Sequence, residues 1–243
     1  MLVNTTMAEL SDLTFRTAFI IYIVALIMSF IYYGRVTAVI DVRREALAEK
    51  AEKAEKKVLV GAGGPDVVDT QSPFDDSEYT AKVASARKWA GMTQALVWVG
   101  VALHVVAFIT RGLGAKRFPL GNLYEYILFM TAVIMVVAAV VVQRKGWHTI
   151  WPWLLFPMVI AMFLNSTVFH MQAAPVVPAL QSYWLPVHVS SAAIGASIGL
   201  VSGVFALLYL LRMWQPRGEE HGFFGAIARP LPSAKTLDQM AYK

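Results

Sequence analysis

The chain has no cysteine among its 243 residues, which excludes disulfides and thiolate metal sites. Five histidines are therefore its only strong metal ligands. Charge is also scarce: charged residues make up 15% of the chain, against roughly 25% in a typical soluble domain. The basic residues are interleaved with acids or border apolar runs, so the net charge of +5 carries no nucleic-acid signature. No run shows the strict alternation of a membrane β-strand, which excludes a β-barrel. The glycines between Gly61 and Gly64 follow no strand and precede no Lys-Ser pair, so no phosphate loop is implied.

What is present is apolar surface, in continuous runs. Hydrophobic residues make up 57% of the chain, and several runs approach the roughly 20 residues that a helix needs to cross a bilayer. This reads as an all-α, polytopic integral membrane protein with about five transmembrane helices in a lipid bilayer. The runs cover about 17–33, 89–109, 124–142, 150–168 and 187–211. Basic residues flank them at alternating ends: Arg35, Arg43 and Arg44, then Arg87 and Lys88, then Arg144 and Lys145, then Arg212 and Arg217. By the positive-inside rule these ends are cytoplasmic, and the amino terminus is outside. The first run lacks the basic region and cleavage site of a signal peptide, so it is expected to be retained.

The spans divide the chain into four parts. Residues 1–35 form an amino-terminal transmembrane helix. Residues 36–88 form a cytoplasmic segment: a charged helix with i, i+4 pairs such as Glu49–Lys53, then a Gly- and Pro-containing linker from Gly61 to Glu78. Residues 89–212 form a four-helix transmembrane region with external loops. Residues 213–243 form a cytoplasmic tail broken by Pro216, Pro230 and Pro232.

Two external segments carry the candidate chemistry. Residues 178–189 read Pro-Ala-Leu-Gln-Ser-Tyr-Trp-Leu-Pro-Val-His-Val. They put His188 at the mouth of a long apolar helix, behind Tyr183 and Trp184, with no charged neighbour. A ring nitrogen there can ligate a metal, and the aromatic rings can lie against a large flat ligand. Alternatively, the three are an interfacial aromatic cluster. The second segment, 117–129, contains Pro119, Asn122, Tyr124 and Glu125 where an external loop enters the third span. Glu125 is either a functional carboxylate at the membrane edge, or half-exposed among the headgroups, or a structural one paired with Arg111, Lys116 or Arg117.

Both segments resemble the CcsA/ResC family, the haem-handling membrane proteins of system II cytochrome c biogenesis. The second is similar to the family's Pro-x-x-Asn-x-Tyr-Glu signature. Leu237-Asp238 followed by Tyr242 is a third match, and the three lie in the family's order from about Trp89 onward. The family's tryptophan-rich segment with its Trp-Trp-Asp core is absent, and its place comes just after Lys243.

The resemblance implies a membrane subunit that binds haem and presents it on the outer face for covalent attachment to apocytochrome c. His188 is then an axial iron ligand and the chain's one metal-binding residue, and the haem-binding set is His188, Trp184, Tyr183, Asn122, Tyr124 and Glu125. No catalytic residue is implied. The chain is at most part of a haem lyase (synthase) complex, and alone it is expected to be inactive. The implied partners are a ResB-type membrane protein and apocytochrome c, in the plasma membrane. Two alternatives stay open: a non-haem transporter whose pathway is lined by His188, Glu125 and His104, and a truncated, interaction-only fragment of the maturation complex.

Other residues have simpler readings. His104, inside the second span, reads as a hydrogen-bonded structural histidine in preference to a transmembrane haem ligand. Ser191, Gly195, Gly199 and Gly203 form a small-residue stripe suited to close helix packing. Trp147, Trp151 and Trp153 read as an aromatic belt. His170 is external, and His148 and His221 are expected to be solvated.

Overall fold

The computed structural model describes residues 3–59, 76–174, 182 and 184–242. Among these the regular secondary structure is all α-helix apart from one 3-10 turn, His148–Ile150. The helices are α1 (Thr5–Leu59), α2 (Asp76–Ala115), α3 (Leu123–Lys145), α4 (Trp151–Thr167), α5 (Trp184–Trp214), α6 (Gly222–Ala228) and α7 (Ala234–Tyr242). The first five are long and apolar enough to cross a membrane. The chain is a polytopic membrane protein, as the composition implied.

The apolar run that fades at Gly34 does not end the first helix. α1 continues through the charged segment 41–53 as one helix, because nothing there breaks it and i, i+4 pairs such as Glu49–Lys53 (2.6 Å) support it. Most of the linker expected from Gly61 to Glu78 lies outside the described residues. Its last residues, Asp76 to Glu78, already belong to α2.

α1 and α2 run antiparallel and in close contact. Ser11 donates its hydroxyl to the Ala107 carbonyl at 2.7 Å, and the Asn4 amide donates to the Gly114 carbonyl at 2.9 Å. Gly100 admits the Tyr22 ring: a Cβ at that position would lie 2.6 Å from a ring carbon. The small-residue packing suspected on α5 is thus found on α2. At Gly195, Gly199 and Gly203 a Cβ would meet nothing within 4 Å, so that stripe faces open space.

α2, α3 and α4 meet at a buried polar knot. Trp151 is fully buried and donates its indole N–H to Gln94 Oε1 at 3.0 Å, while Gln94 Nε2 donates to the Ala139 carbonyl at 3.2 Å. This corrects the aromatic-belt reading for Trp151, whose ring belongs to the core. His104 is also fully buried, with Nε2 3.1 Å from the Leu128 carbonyl, as expected of a structural histidine. His148 is half-buried rather than solvated, whereas His221 is exposed.

α3 and α5 run parallel, joined where the Ser197 hydroxyl approaches the Met130 carbonyl at 3.2 Å. Beyond α5 the chain folds back instead of trailing away. The Glu220 carboxylate is buried between Arg44 of α1 (2.8 Å) and Arg212 of α5 (3.1 Å), and Arg229 pairs with Asp41 at 2.5 Å. Burial raises the pKa of Glu220, but donors from Arg44, Gly218 and Arg212 outweigh it and hold the carboxyl below its ordinary value. α7 then lies against α5, burying Leu237 and Met240, with the Ser202 hydroxyl donating to the Ala241 carbonyl at 3.0 Å.

The two glycine environments give a direct comparison. Gly100→Val overpacks the α1–α2 contact and lowers thermal stability in detergent by about 1–3 kcal/mol. Gly199→Val, in open space, leaves the melting temperature unchanged within about 1 °C on the usual scale of surface changes.

Candidate functional site: an ion cluster at the loop end of the bundle

One end of the bundle carries the 116–122 loop, and Glu125 lies at its centre. Its side chain is completely buried. Arg111, also completely buried, donates from Nε to Glu125 Oε1 at 3.2 Å, and Arg117 donates from Nη1 to Oε2 at 2.8 Å. The Gly121 amide adds a third donor to Oε2 at 2.8 Å. A buried carboxylate is tolerable only when paired and hydrogen-bonded, and this one is saturated.

The motif explains why the chain folds this way locally. Asn122 is the N-cap of α3 and its Oδ1 accepts from the Glu125 amide at 2.9 Å, satisfying a first-turn donor that would otherwise be orphaned. Gly121 lets Arg117 lie across the loop, since a Cβ there would sit 2.7–2.8 Å from the guanidinium. Pro119 packs against Gly112 at the end of α2, where a Cβ would meet its ring at 3.1 Å. α2 itself is ended by Lys116, whose φ of 51° is left-handed.

Around this pair stands a second layer. The Arg111 guanidinium lies 4.8 Å from the Tyr124 ring centroid, a cation–π contact. Asp12 of α1 approaches Arg111 Nη1 at 3.5 Å, accepts the Tyr124 hydroxyl at 3.3 Å and pairs with His170 Nε2 at 3.2 Å. Asn165 of α4 is fully buried and donates to the Tyr124 carbonyl at 3.2 Å. Arg111 also donates to the Met171 carbonyl, and Arg117 to the Ala174 carbonyl at 3.0 and 3.1 Å. The arginines therefore tie the 111–125 loop to residues 170–174.

The expected site residues fall into two groups. Asn122, Tyr124 and Glu125 come together, and Glu125 takes the structural role, with Arg111 and Arg117 as partners. Lys116 is exposed and does not join them. His188 and Trp184 stand apart on the first turns of α5, both exposed, Trp184 at 75%. Among the described residues no hydrogen bond, ion pair or ring contact links them to the cluster. Tyr183 lies outside the described residues. Sequence reasoning missed Asp12 and Asn165 as members of the cluster. The available signal was a lone acid or amide on an apolar run, which needs a polar partner from another helix.

No group of three or more His, Asp or Glu side chains suited to a metal ion occurs among the described residues. The arrangement is a polytopic helical membrane protein with a charge-locked loop at one end and, on the adjoining helix, an exposed imidazole with no partner among the described residues. A profile described as cytochrome C assembly protein matches residues 120–243, just over half the chain. The chain belongs to that family. Among curated relatives, the cytochrome c biogenesis protein CcsA of Guillardia theta is 33% identical over 106 residues, covering 42% of this chain and 35% of its own length. The protein of that name from Synechococcus sp. (strain CC9605) is 32% identical over 139 residues, covering 52% and 43% respectively. That from Porphyra purpurea is 30% identical over 136 residues, covering 54% and 41%. The chain thus spans less than half the length of these relatives. No solved structure matches it significantly.

Removing one partner of the buried pair leaves an uncompensated charge. Glu125→Gln or Arg111→Gln is expected to destabilise the protein by about 3–5 kcal/mol. The paired change Arg111→Met with Glu125→Leu recovers part of that loss, read by thermal unfolding in detergent.

Proposed function

We propose that the chain acts in cytochrome c biogenesis as a membrane subunit that holds haem and presents it on the outer face for covalent attachment to apocytochrome c. The reading is supported by family membership together with one observation: His188 is exposed at the loop end of α5, and neither ring nitrogen has a hydrogen-bond partner among the described residues. A free neutral imidazole is a competent axial ligand for haem iron. Trp184, one helical turn earlier and largely exposed, presents an apolar face beside it. The donor set fits a haem, which His188 would hold through one imidazole nitrogen.

The side chains divide the work. His188 would hold the iron, and Trp184 and Tyr183 would shield and orient the macrocycle. Asn122, Tyr124 and Glu125 keep the adjoining loop fixed through Arg111 and Arg117. Haem supplies the vinyl groups to which cysteine thiols of the apocytochrome add. The chain's contribution is positioning, which lowers the entropic part of the barrier. A ResB-type membrane partner and apocytochrome c complete the assembly. α5 is the span least covered by its own chain, which supports a neighbour on that side.

The loop end is assigned to the outside of the plasma membrane. Support comes from the opposite end, where Arg35, Arg44, Arg87, Arg144, Lys145 and Arg212 cluster. Residues 1–35 and 89–212 then supply the spans, with 36–88 and the start of the 213–243 tail on the cytoplasmic side, from which α7 folds back along α5. The transporter alternative gains no support. Glu125 and His104 are each engaged inside the packed core while His188 is exposed, so the three do not line one path.

In a membrane complex purified through this chain, His188→Ala is expected to reduce the haem absorption band several-fold, and added imidazole to restore part of it. An unchanged band with undiminished cytochrome c maturation would overturn the assignment.

A further inference from the structure

At the end of the bundle opposite the loop, α3, α5 and α7 enclose a groove of about 580 Å³, within the range of roughly 300–1,000 Å³ typical of ligand sites. Its walls are apolar, with Val137, Val141, Ile198, Val201 and Phe205 contributing. Val137 and Ile198 are 53% and 65% exposed, so the protein leaves these walls uncovered. On α3 the groove runs from Val133 to Lys145, thirteen residues spanning about 18 Å of helix. One leaflet of a bilayer is about 15 Å deep, half of the roughly 30 Å hydrocarbon core. The groove is therefore as long as one leaflet is thick.

Its mouth has a different character. Lys145 lines the groove at the last residue of α3, and Arg144 beside it is also exposed. Among the described residues neither has an ion-pair partner. Trp147, two residues beyond Lys145, lines the groove at the same rim, an indole at the depth where headgroups and ester oxygens lie. The floor is fixed, since α7 is tied to α5 by the Ser202 to Ala241 hydrogen bond.

We propose that this groove is a specific binding site for one anionic glycerophospholipid. An acyl chain would lie along Val137, Val141, Ile198 and Val201, and the phosphate would pair with Lys145 and Arg144. Three observations converge on that occupant: leaflet length, an apolar wall open to lipid, and uncompensated positive charge only at the headgroup end. A basic rim between membrane helices selects anionic headgroups by charge, whereas the acyl chain gains from apolar contact alone. The site lies away from the ion cluster and is independent of the haem reading.

The test uses the purified chain in detergent, stripped of lipid and offered phosphatidylglycerol or phosphatidylcholine of equal chain length, with bound lipid counted by native mass spectrometry. The expected result is one retained phosphatidylglycerol, preferred over phosphatidylcholine by roughly tenfold given two basic contacts. Arg144→Gln with Lys145→Gln should abolish the preference. Val201→Trp should abolish retention of either lipid, while Ile20→Trp, on an exposed apolar position of α1, leaves it intact. Equal retention of the two lipids by the unaltered protein would overturn the proposal. So would retention that survives Val201→Trp, or a dimer that Val201→Trp dissociates without lipid loss, which would make the occupant a second copy.

Discussion

The buried pair between Glu125 and two arginines organises the loop end of this protein. A carboxylate with no exposure at the edge of a membrane bundle is costly unless fully compensated. Compensation requires Arg111 from α2, Arg117 from the loop and the Gly121 amide to converge on one group. That convergence fixes the α2–α3 connection. Because the same arginines also donate to the Met171 and Ala174 carbonyls, it fixes the start of the α4–α5 connection as well. Asp12 extends the network to α1, and Asn165 joins α4 to it. Four of the five spans thus meet at one electrostatic centre.

The fifth span is held differently. α5 parallels α3 through Ser197 and is anchored at its far end by Arg212, which donates to Glu220 and to the Ala228 carbonyl. Its first turns, with Trp184 and His188, remain outside the cluster. The protein therefore combines a rigid loop platform with an adjacent helix face that the described residues leave uncovered.

Much of this was legible in the sequence. Five apolar runs of the right length, with basic residues at alternating ends, specified the spans, because hydrophobic length is a nearly sufficient signal in lipid. An ion pair of Glu125 with Arg111, Lys116 or Arg117 was one of the readings the sequence offered, because a carboxylate at that depth is costly unpaired; the choice of Arg111 and Arg117 needed the tertiary contacts. What was illegible depends on tertiary contact. The i, i+4 pairs beyond Gly34 were readable as a helix, but not its fusion with the preceding span. The small residues Gly195, Gly199 and Gly203 have the spacing of a packing stripe, yet the close approach occurs at Gly100, where Tyr22 happens to face it. Trp151 looked like its neighbours, and only the partner Gln94, 57 residues away, draws it inward. The fold-back of 215–242 rests on Glu220 reaching two arginines from different helices, which no local pattern announces.

The central claim is that the Glu125 ion cluster holds the two loop segments in register. Spin labels at Lys116 and Gln172, both exposed, report that register directly through their distance distribution in lipid bilayers. The account predicts a narrow distribution in the unaltered protein and a broad one in Glu125→Gln, with labels at Arg144 and Arg217 unaffected. A distribution that stays equally narrow in Glu125→Gln would contradict it.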